Sequence, residues 1–439
     1  MIEHLKKDIF VLLALVFIGL GVFISLTALQ SQFTHIVGGF TISFIAYFYI
    51  TSKDALDNLK SILILAIIAK CALIFHFPNL SDDIYRFYWD GLLSQNGINP
   101  YSVLPEEVLA LDITSQFSTL FSELNSPQYY TIYPPVSQLL FYVASFAEDI
   151  NQFSLMLKSL FVLFDILNLY LIWVILKLLK LKSEYALIYF LNPLVIVEGL
   201  GNLHFELIMA SFLLAFLLML IRNKSVLLTS LYYCLAIATK LTPLILGPLI
   251  LYYNRNLTKN LKFLLTGLII MSLLFIPLYT GFNWLNLADS IDLYFRKFEF
   301  NASIYYVLRE VGEYLSGYNL IRYVGPGLAF ISLALILGVY KNQTKNELSS
   351  FIKHAIIAYS VYLFLSTTVH PWYLIPLVTL TCFVRYNYVM IWSFLIGLSY
   401  WAYSQTNWEE SMFILAIEYI LVYYLFYVEV LIGRKVKGQ

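Results

Sequence analysis

Apolar residues run through this chain in long blocks, separated by short polar breaks. The blocks lie near 9–29, 33–52, 60–76, 154–176, 184–201, 205–221, 226–240, 241–253, 262–281, 321–340, 352–369, 373–384, 386–403 and 411–432. A helix needs ~20 apolar residues to cross the hydrocarbon of a bilayer. Several blocks are shorter, and partial helices are tolerated where they line a protein-enclosed cavity. The pattern predicts an all-α polytopic integral membrane protein of about 13–14 transmembrane helices. The run Phe10 to Leu29 is too long for a signal-peptide core and lacks a small-residue cleavage site, so it reads as a retained first span.

Two long segments interrupt the spans, one from about 78 to 135 and one from about 282 to 320. Loops of that length are functional or disordered as a rule. Both carry apolar residues at helical spacing, as in Phe87-Tyr88 with Leu92-Leu93 and Tyr305-Tyr306 with Leu308. They therefore predict amphipathic helices lying on the membrane surface. Pro134 to Ala147 reads as a re-entrant or interfacial helix. No repeat, low-complexity tract or separate soluble domain interrupts a single transmembrane domain over residues 1–439.

Composition agrees. The chain is 60% hydrophobic and 12% charged, whereas soluble chains are about 25% charged. A formal net charge of zero argues against a nucleic-acid partner. Cys71, Cys234 and Cys382 are scattered through apolar runs, so neither a disulfide framework nor a cysteine metal site is expected.

Basic residues orient the chain. With Lys6 and Lys7 in the cytoplasm, the same side receives Lys53 and Lys60; Lys177, Lys180 and Lys182; Arg222 and Lys224; Arg255, Lys259 and Lys262; Lys341, Lys345 and Lys353; Arg385; and Arg434, Lys435 and Lys437. Both termini are then cytoplasmic. The unusual polar motifs fall on the opposite, external face, which makes it the expected site of chemistry.

Asp82 and Asp83 are the first candidates. Carboxylates are costly near hydrocarbon, and one within reach of a sugar hydroxyl can take its proton as it attacks an anomeric carbon. The bland alternative is a helix cap with Asp83 paired to Arg86. Asn202, His204 and Glu206 lie between two spans. They suit hydrogen bonding to a substrate phosphate or sugar, against a solvated turn as the alternative. A metal site drawn from Asp82, His204 and Glu206 matches no familiar spacing. Lys240 sits between two short apolar runs, where a lysine is either paired with a buried acid or used on a phosphate. His370 is placed to donate to a phosphate or sugar oxygen. Tyr133, Trp372 and Tyr373 offer sugar-binding surface, with interfacial anchoring as the alternative for the last two. Arg296 and Lys297 form a basic cluster on the external side that suits a phosphate or anionic headgroups. Asn301-Ala302-Ser303 fits the N-glycosylation pattern, which matters only in a eukaryotic secretory setting.

These motifs also carry a resemblance. Ser81-Asp82-Asp83-Ile84-Tyr85-Arg86-Phe87-Tyr88-Trp89-Asp90-Gly91, followed by Gly97-Ile98-Asn99-Pro100-Tyr101, resembles the first external loop of bacterial polyprenyl-phosphate-mannose mannosyltransferases. That group includes the α-1,6-mannosyltransferases of mycobacterial lipoglycan assembly. Ile132-Tyr133-Pro134-Pro135, Lys240-Leu241-Thr242-Pro243, Asn301-Ala302-Ser303-Ile304-Tyr305 and His370-Pro371-Trp372-Tyr373 follow in the same order. The resemblance implies the GT-C glycosyltransferase fold and a polyprenyl-phosphate-linked hexose donor, mannose as a rule. It further implies a glycan or glycolipid acceptor, inversion at the anomeric carbon, and a catalytic base at Asp82 or Asp83. No cofactor is expected; most such enzymes need no metal, although one branch uses a divalent ion. The expected location is the bacterial inner membrane.

Two other classes stay open at this point. A lipid-linked sugar transporter or flippase calls for mid-membrane polar groups and inverted repeats, and neither is visible. A membrane polysaccharide polymerase or ligase leans on external arginines, which are few here: Arg86, Arg296, Arg309 and Arg322.

Overall fold

The computed structural model describes residues 2–53, 56, 58–109, 115–223, 225–279, 284–341, 343 and 347–433. Within them the chain is helical throughout, with one isolated parallel bridge between Phe300 and Thr368. Lys224, Lys345, Arg434, Lys435 and Lys437, and the start of the second loop at 282, lie outside the described residues.

Among the described residues, seven helices are long and apolar enough to cross a membrane: Ile9–Thr27, Phe33–Thr51, Ile150–Leu178, Leu257–Leu278, Ile321–Tyr340, Leu348–Leu365 and Met412–Leu431. An eighth crossing is available if Ser183–Phe190 and Val195–Gly201, bent by 62°, count as one broken span. Pro135–Ala144, Glu206–Ile221, Val226–Thr239 and Pro371–Thr381 are apolar but shorter. The full-length spans are therefore fewer than the apolar blocks. The remaining blocks form shorter helices; Glu206–Ile221 and Pro371–Thr381 are largely buried, whereas Leu59–Ala72 leaves Ile64, Leu65 and Ile68 exposed. Leu257–Phe275 lies at the periphery, with Leu265, Leu268 and Ile269 exposed. Such a surface needs lipid rather than water against it.

The first two spans show how closely the helices pack. A Cβ on Gly21 would stand 2.4 Å from the Gly39 carbonyl oxygen, and one on Gly39 would stand 2.4 Å from that of Gly21. Small residues at a crossing let two backbones touch where no hydrophobic drive separates helix from lipid. Two serines tie the crossing: Ser25 Oγ on the first helix donates to the Ile36 carbonyl at 3.1 Å, and Ser43 Oγ on the second donates to the Ile18 carbonyl at 3.3 Å.

Both long loops contain helices, but Asp83–Gln95 buries every residue from Arg86 to Leu93 and is packed into the protein rather than laid on the membrane surface. Asp83–Gln95 belongs to the first; Trp284–Arg296 and Ile304–Ser316 belong to the second. Ile304–Ser316 buries Tyr305 and Tyr306 and leaves Val307, Val311, Tyr314 and Leu315 exposed. Pro135–Ala144 has ten residues, roughly 15 Å at 1.5 Å per residue, half a hydrocarbon thickness. It packs against Asp83–Gln95, where a Cβ on Gly91 would meet the Phe141 carbonyl oxygen at 2.6 Å.

Candidate active site

The acidic segment opens a helix, and its surroundings decide between a cap and a reactive pair. Ser81 Oγ accepts from the Asp83 amide at 3.4 Å, and Asp82 makes no side-chain cap bond. The alternative pairing of Asp83 with Arg86 is not formed. Arg86 Nε lies 3.0 Å from Asp90 Oδ1, and its Nη1 donates to the carbonyls of Ser126 at 3.3 Å and Tyr129 at 2.9 Å. Asp90 is fully buried and also accepts from Thr131 Oγ1 and, at 2.9 Å, from Gln138 Nε2. A buried charge pair is tolerable only when its remaining polar positions are filled in this way. Arg86 and Asp90 thus pin the loop, and the Asp83 carboxylate keeps one long contact, Asn125 Nδ2 at 3.3 Å. Asp82 holds an exposed side chain. Loss of surrounding water, and then the neighbouring Asp83 charge, raise its pKa above the ordinary carboxylate value.

Lys240 and Glu206 meet from the ends of two short helices. Glu206 is the first residue of Glu206–Ile221, and Lys240 follows the last residue of Val226–Thr239. Lys240 Nζ lies 3.3 Å from Glu206 Oε1 and 5.4 Å from the centre of the Tyr133 ring. Beyond Lys240, neither Glu206 oxygen has a hydrogen-bond partner from another side chain. Glu206 is 1% exposed. Pairing with a buried acid, the structural alternative for Lys240, is therefore real. It also leaves Lys240 beside open space, because both residues line a cavity of about 410 Å³. Tyr133, Tyr373, Ser366 and Thr367 share the wall. Most of the rest is apolar, formed by Leu244, Ile245, Ala329, Leu333 and Ile336, with Thr242, Ser332, Tyr362 and Thr368 interspersed.

Next to this cavity four rings stack in a row. His204 lies on Trp372 at 3.5 Å, Trp372 on His370 at 4.5 Å, and His370 on Phe300 at 4.8 Å between ring centres. Both faces of Trp372 are covered, so it cannot serve as a sugar-stacking wall. Its role is to hold the two imidazoles. Phe300 is fixed in turn by backbone bonds to Thr367 and Val369. Burial, and then the Lys240 charge, lower the His370 pKa to about 3; the same causes, with His370 added, hold His204 well below the imidazole range. Both rings are neutral at pH 7, so His370 would act on an anion by donating an N–H rather than by carrying charge.

His204 is 2% exposed, which removes the solvated-turn alternative. Its Nε2 lies 3.5 Å from Glu198 Oε2. Glu198 also accepts from Tyr400 at 2.8 Å and from Asn202 Nδ2 at 3.4 Å. Asn202 Oδ1 receives the Leu80 amide at 3.3 Å. Asn202, 1% exposed, thus ties the first loop to the bent segment. Glu198 and Tyr400 were missed from sequence. The signal was present: Glu198 is an acid inside an apolar block, and such residues have partners or functions.

Arg296 is not brought to the cavity. It pairs with Asp292 at 2.8 Å on the exposed side of its helix. Asn301 is 1% exposed, with its side chain on Glu418 at 3.2 Å, so it is no glycan acceptor in the folded protein. Among the described residues no group of three or more His, Cys, Asp or Glu is placed to hold a metal ion; Asp82, His204 and Glu206 do not form one.

Tyr133, His204, Glu206, Lys240, His370, Trp372 and Tyr373 thus come from distant parts of the chain to one end of the bundle, and the charge of Asp83 reaches Glu206. No curated protein matches the chain. The model of the alpha-(1->6)-mannopyranosyltransferase N-terminal domain matches residues 13–254, more than half of its length. That stretch contains Asp83, Tyr133, His204, Glu206 and Lys240, and the chain belongs to this family of membrane mannosyltransferases.

Proposed function

We propose that the protein moves a hexose, mannose by its family, from a polyprenyl-phosphate donor to a hydroxyl of a glycan or glycolipid acceptor. The reaction would invert the anomeric carbon and take place at the external face of a bacterial inner membrane. The observation that carries this reading is the cavity of about 410 Å³, apolar along most of its wall and carrying Lys240 at its polar end. A long isoprenoid suits the apolar part, and a phosphate suits the ammonium group. The basic residues Arg222 and Arg255 flank the opposite helix ends, which supports an external position for the site.

The chemistry follows from these groups. The acceptor oxygen attacks the anomeric carbon from the face opposite the phosphate. The carbon–oxygen bond to the phosphate breaks, and its electron pair leaves with the polyprenyl phosphate. The acceptor's proton passes to a carboxylate of the acidic pair. Asp83 fits this role better than Asp82 because the pairing that would have occupied it is absent. Lys240 and the His370 N–H stabilise charge as it builds on the departing phosphate. That phosphate leaves already ionised, so the mechanism needs no strong general acid.

The test is transfer from radiolabelled polyprenyl-phosphate-mannose in proteoliposomes, with and without EDTA. Transfer that persists in EDTA and is lost in Asp83→Asn supports the reading. Full activity in both Asp82→Asn and Asp83→Asn, each folded, removes the base assignment.

A further inference from the structure

Within the cavity the two charged residues cannot share one task. Lys240 is a cation with protons to give. Glu206 carries a carboxylate, is 1% exposed and lines the cavity, and beyond Lys240 neither of its oxygens has a partner from another side chain. An anionic carboxylate repels a phosphate, so Glu206 does not bind the leaving group. An isoprenoid chain offers it no donor. The remaining part of a glycosyl phosphate is the sugar, whose hydroxyls donate readily. Resting on the donor assignment above, we propose that Glu206 accepts a hydroxyl of the transferred hexose and so sets the enzyme's choice of sugar.

The placement favours this role. As the first residue of Glu206–Ile221, Glu206 sits where unpaired backbone N–H groups favour negative charge. The ion pair with Lys240 keeps the carboxylate next to the cation that would take the phosphate. A hydroxyl near the anomeric carbon would therefore meet Glu206 while the phosphate meets Lys240. A buried acceptor left unpaired is costly, which is how such sites reject a substrate that lacks one hydroxyl.

The experiment compares polyprenyl-phosphate-mannose with donors lacking one sugar hydroxyl each, at positions 2, 3, 4 or 6. Wild type is measured beside Glu206→Gln and Glu206→Ala. In wild type one deoxy donor should fall in kcat/KM by about a hundredfold relative to the parent. In Glu206→Ala that gap should close to within about threefold while the gaps at the other positions persist, as expected when one hydrogen bond has been removed from both sides. Glu206→Gln, of equal size, should show a partly closed gap and covers the case in which the alanine variant does not fold. Damage that acts only by releasing Lys240 would slow every donor alike and leave the ratios unchanged. Unchanged ratios in the folded variants overturn the assignment while leaving the donor reading intact. A wild type that neither binds nor uses polyprenyl-phosphate-mannose overturns both.

Discussion

Asp82 and Asp83 are neighbours in sequence but differ in surroundings, and that difference can be measured. Asp83→Asn should lower transfer by a hundredfold or more, the range of a positioned general base, whereas Asp82→Asn should keep most of it. The raised pKa of Asp82 gives a second test with a definite sign. A carboxylate whose pKa is higher folded than unfolded costs stability wherever it is ionised, and the cost disappears once pH falls below both values. Asp82→Asn should therefore raise the melting temperature at pH 7, and the gain should shrink as pH falls toward 4. An equal gain at every pH would show that Asp82 acts through something other than its charge. Glu198 belongs to the same scale. Its contact with His204 lies at one end of the row of stacked rings, so Glu198→Gln should lower kcat through His370 more than it changes KM for the acceptor. Steady-state kinetics with varied acceptor separate these outcomes.

Helices explain why some of these residues were readable and others were not. The segment Ser81 to Gly91 stood out because it puts charge beside apolar runs. Its two halves nevertheless differ: the Asp83 carboxylate keeps one long contact to Asn125, while Arg86 and Asp90 bind each other inside the loop. Spacing allowed Arg86 to reach an acid on either side, at i−3 or i+4. Only the carbonyls of Ser126 and Tyr129, which arrive from some 40 residues away, settled the choice. Trp372 was ambiguous for a similar reason. An aromatic residue beside a histidine suits a sugar wall as well as it suits an anchor, and the second histidine that covers its other face, His204, comes from a distant connection between two helices. The close approach at Gly91 gives an element-scale prediction. Gly91→Ala drives a methyl group toward the Phe141 backbone, so Asp83–Gln95 must separate from Pro135–Ala144. Overpacking of this kind costs about 1–3 kcal/mol. Thermal unfolding in detergent should show that loss, and transfer should fall further because the helix that begins with Asp83 has moved.

At the scale of the whole molecule, the apolar blocks in the sequence located nearly every helix but not which helices meet. The cavity joins segments around residues 133, 206, 240, 245, 329 and 365, and no periodicity within one block predicts that meeting. The short helices Glu206–Ile221 and Val226–Thr239 are central to it. Because they begin or end within the bundle, they can deliver Glu206 and Lys240 to one point. Ile321–Tyr340 supplies the opposite, apolar wall, and it lies beyond the stretch that the family model matches. On the proposed donor, this division would separate recognition of the lipid chain from the chemistry at its head. Ala329→Phe adds bulk to the apolar wall without touching Lys240 or Glu206. With a long-chain donor, KM should rise tenfold or more while kcat changes little, because the lost contacts bind substrate and transition state alike. A donor cut to two isoprene units would not reach the added ring and should be used by variant and wild type at similar rates. Equal losses for long and short donors would mean that the lipid runs elsewhere and that the cavity serves the acceptor instead.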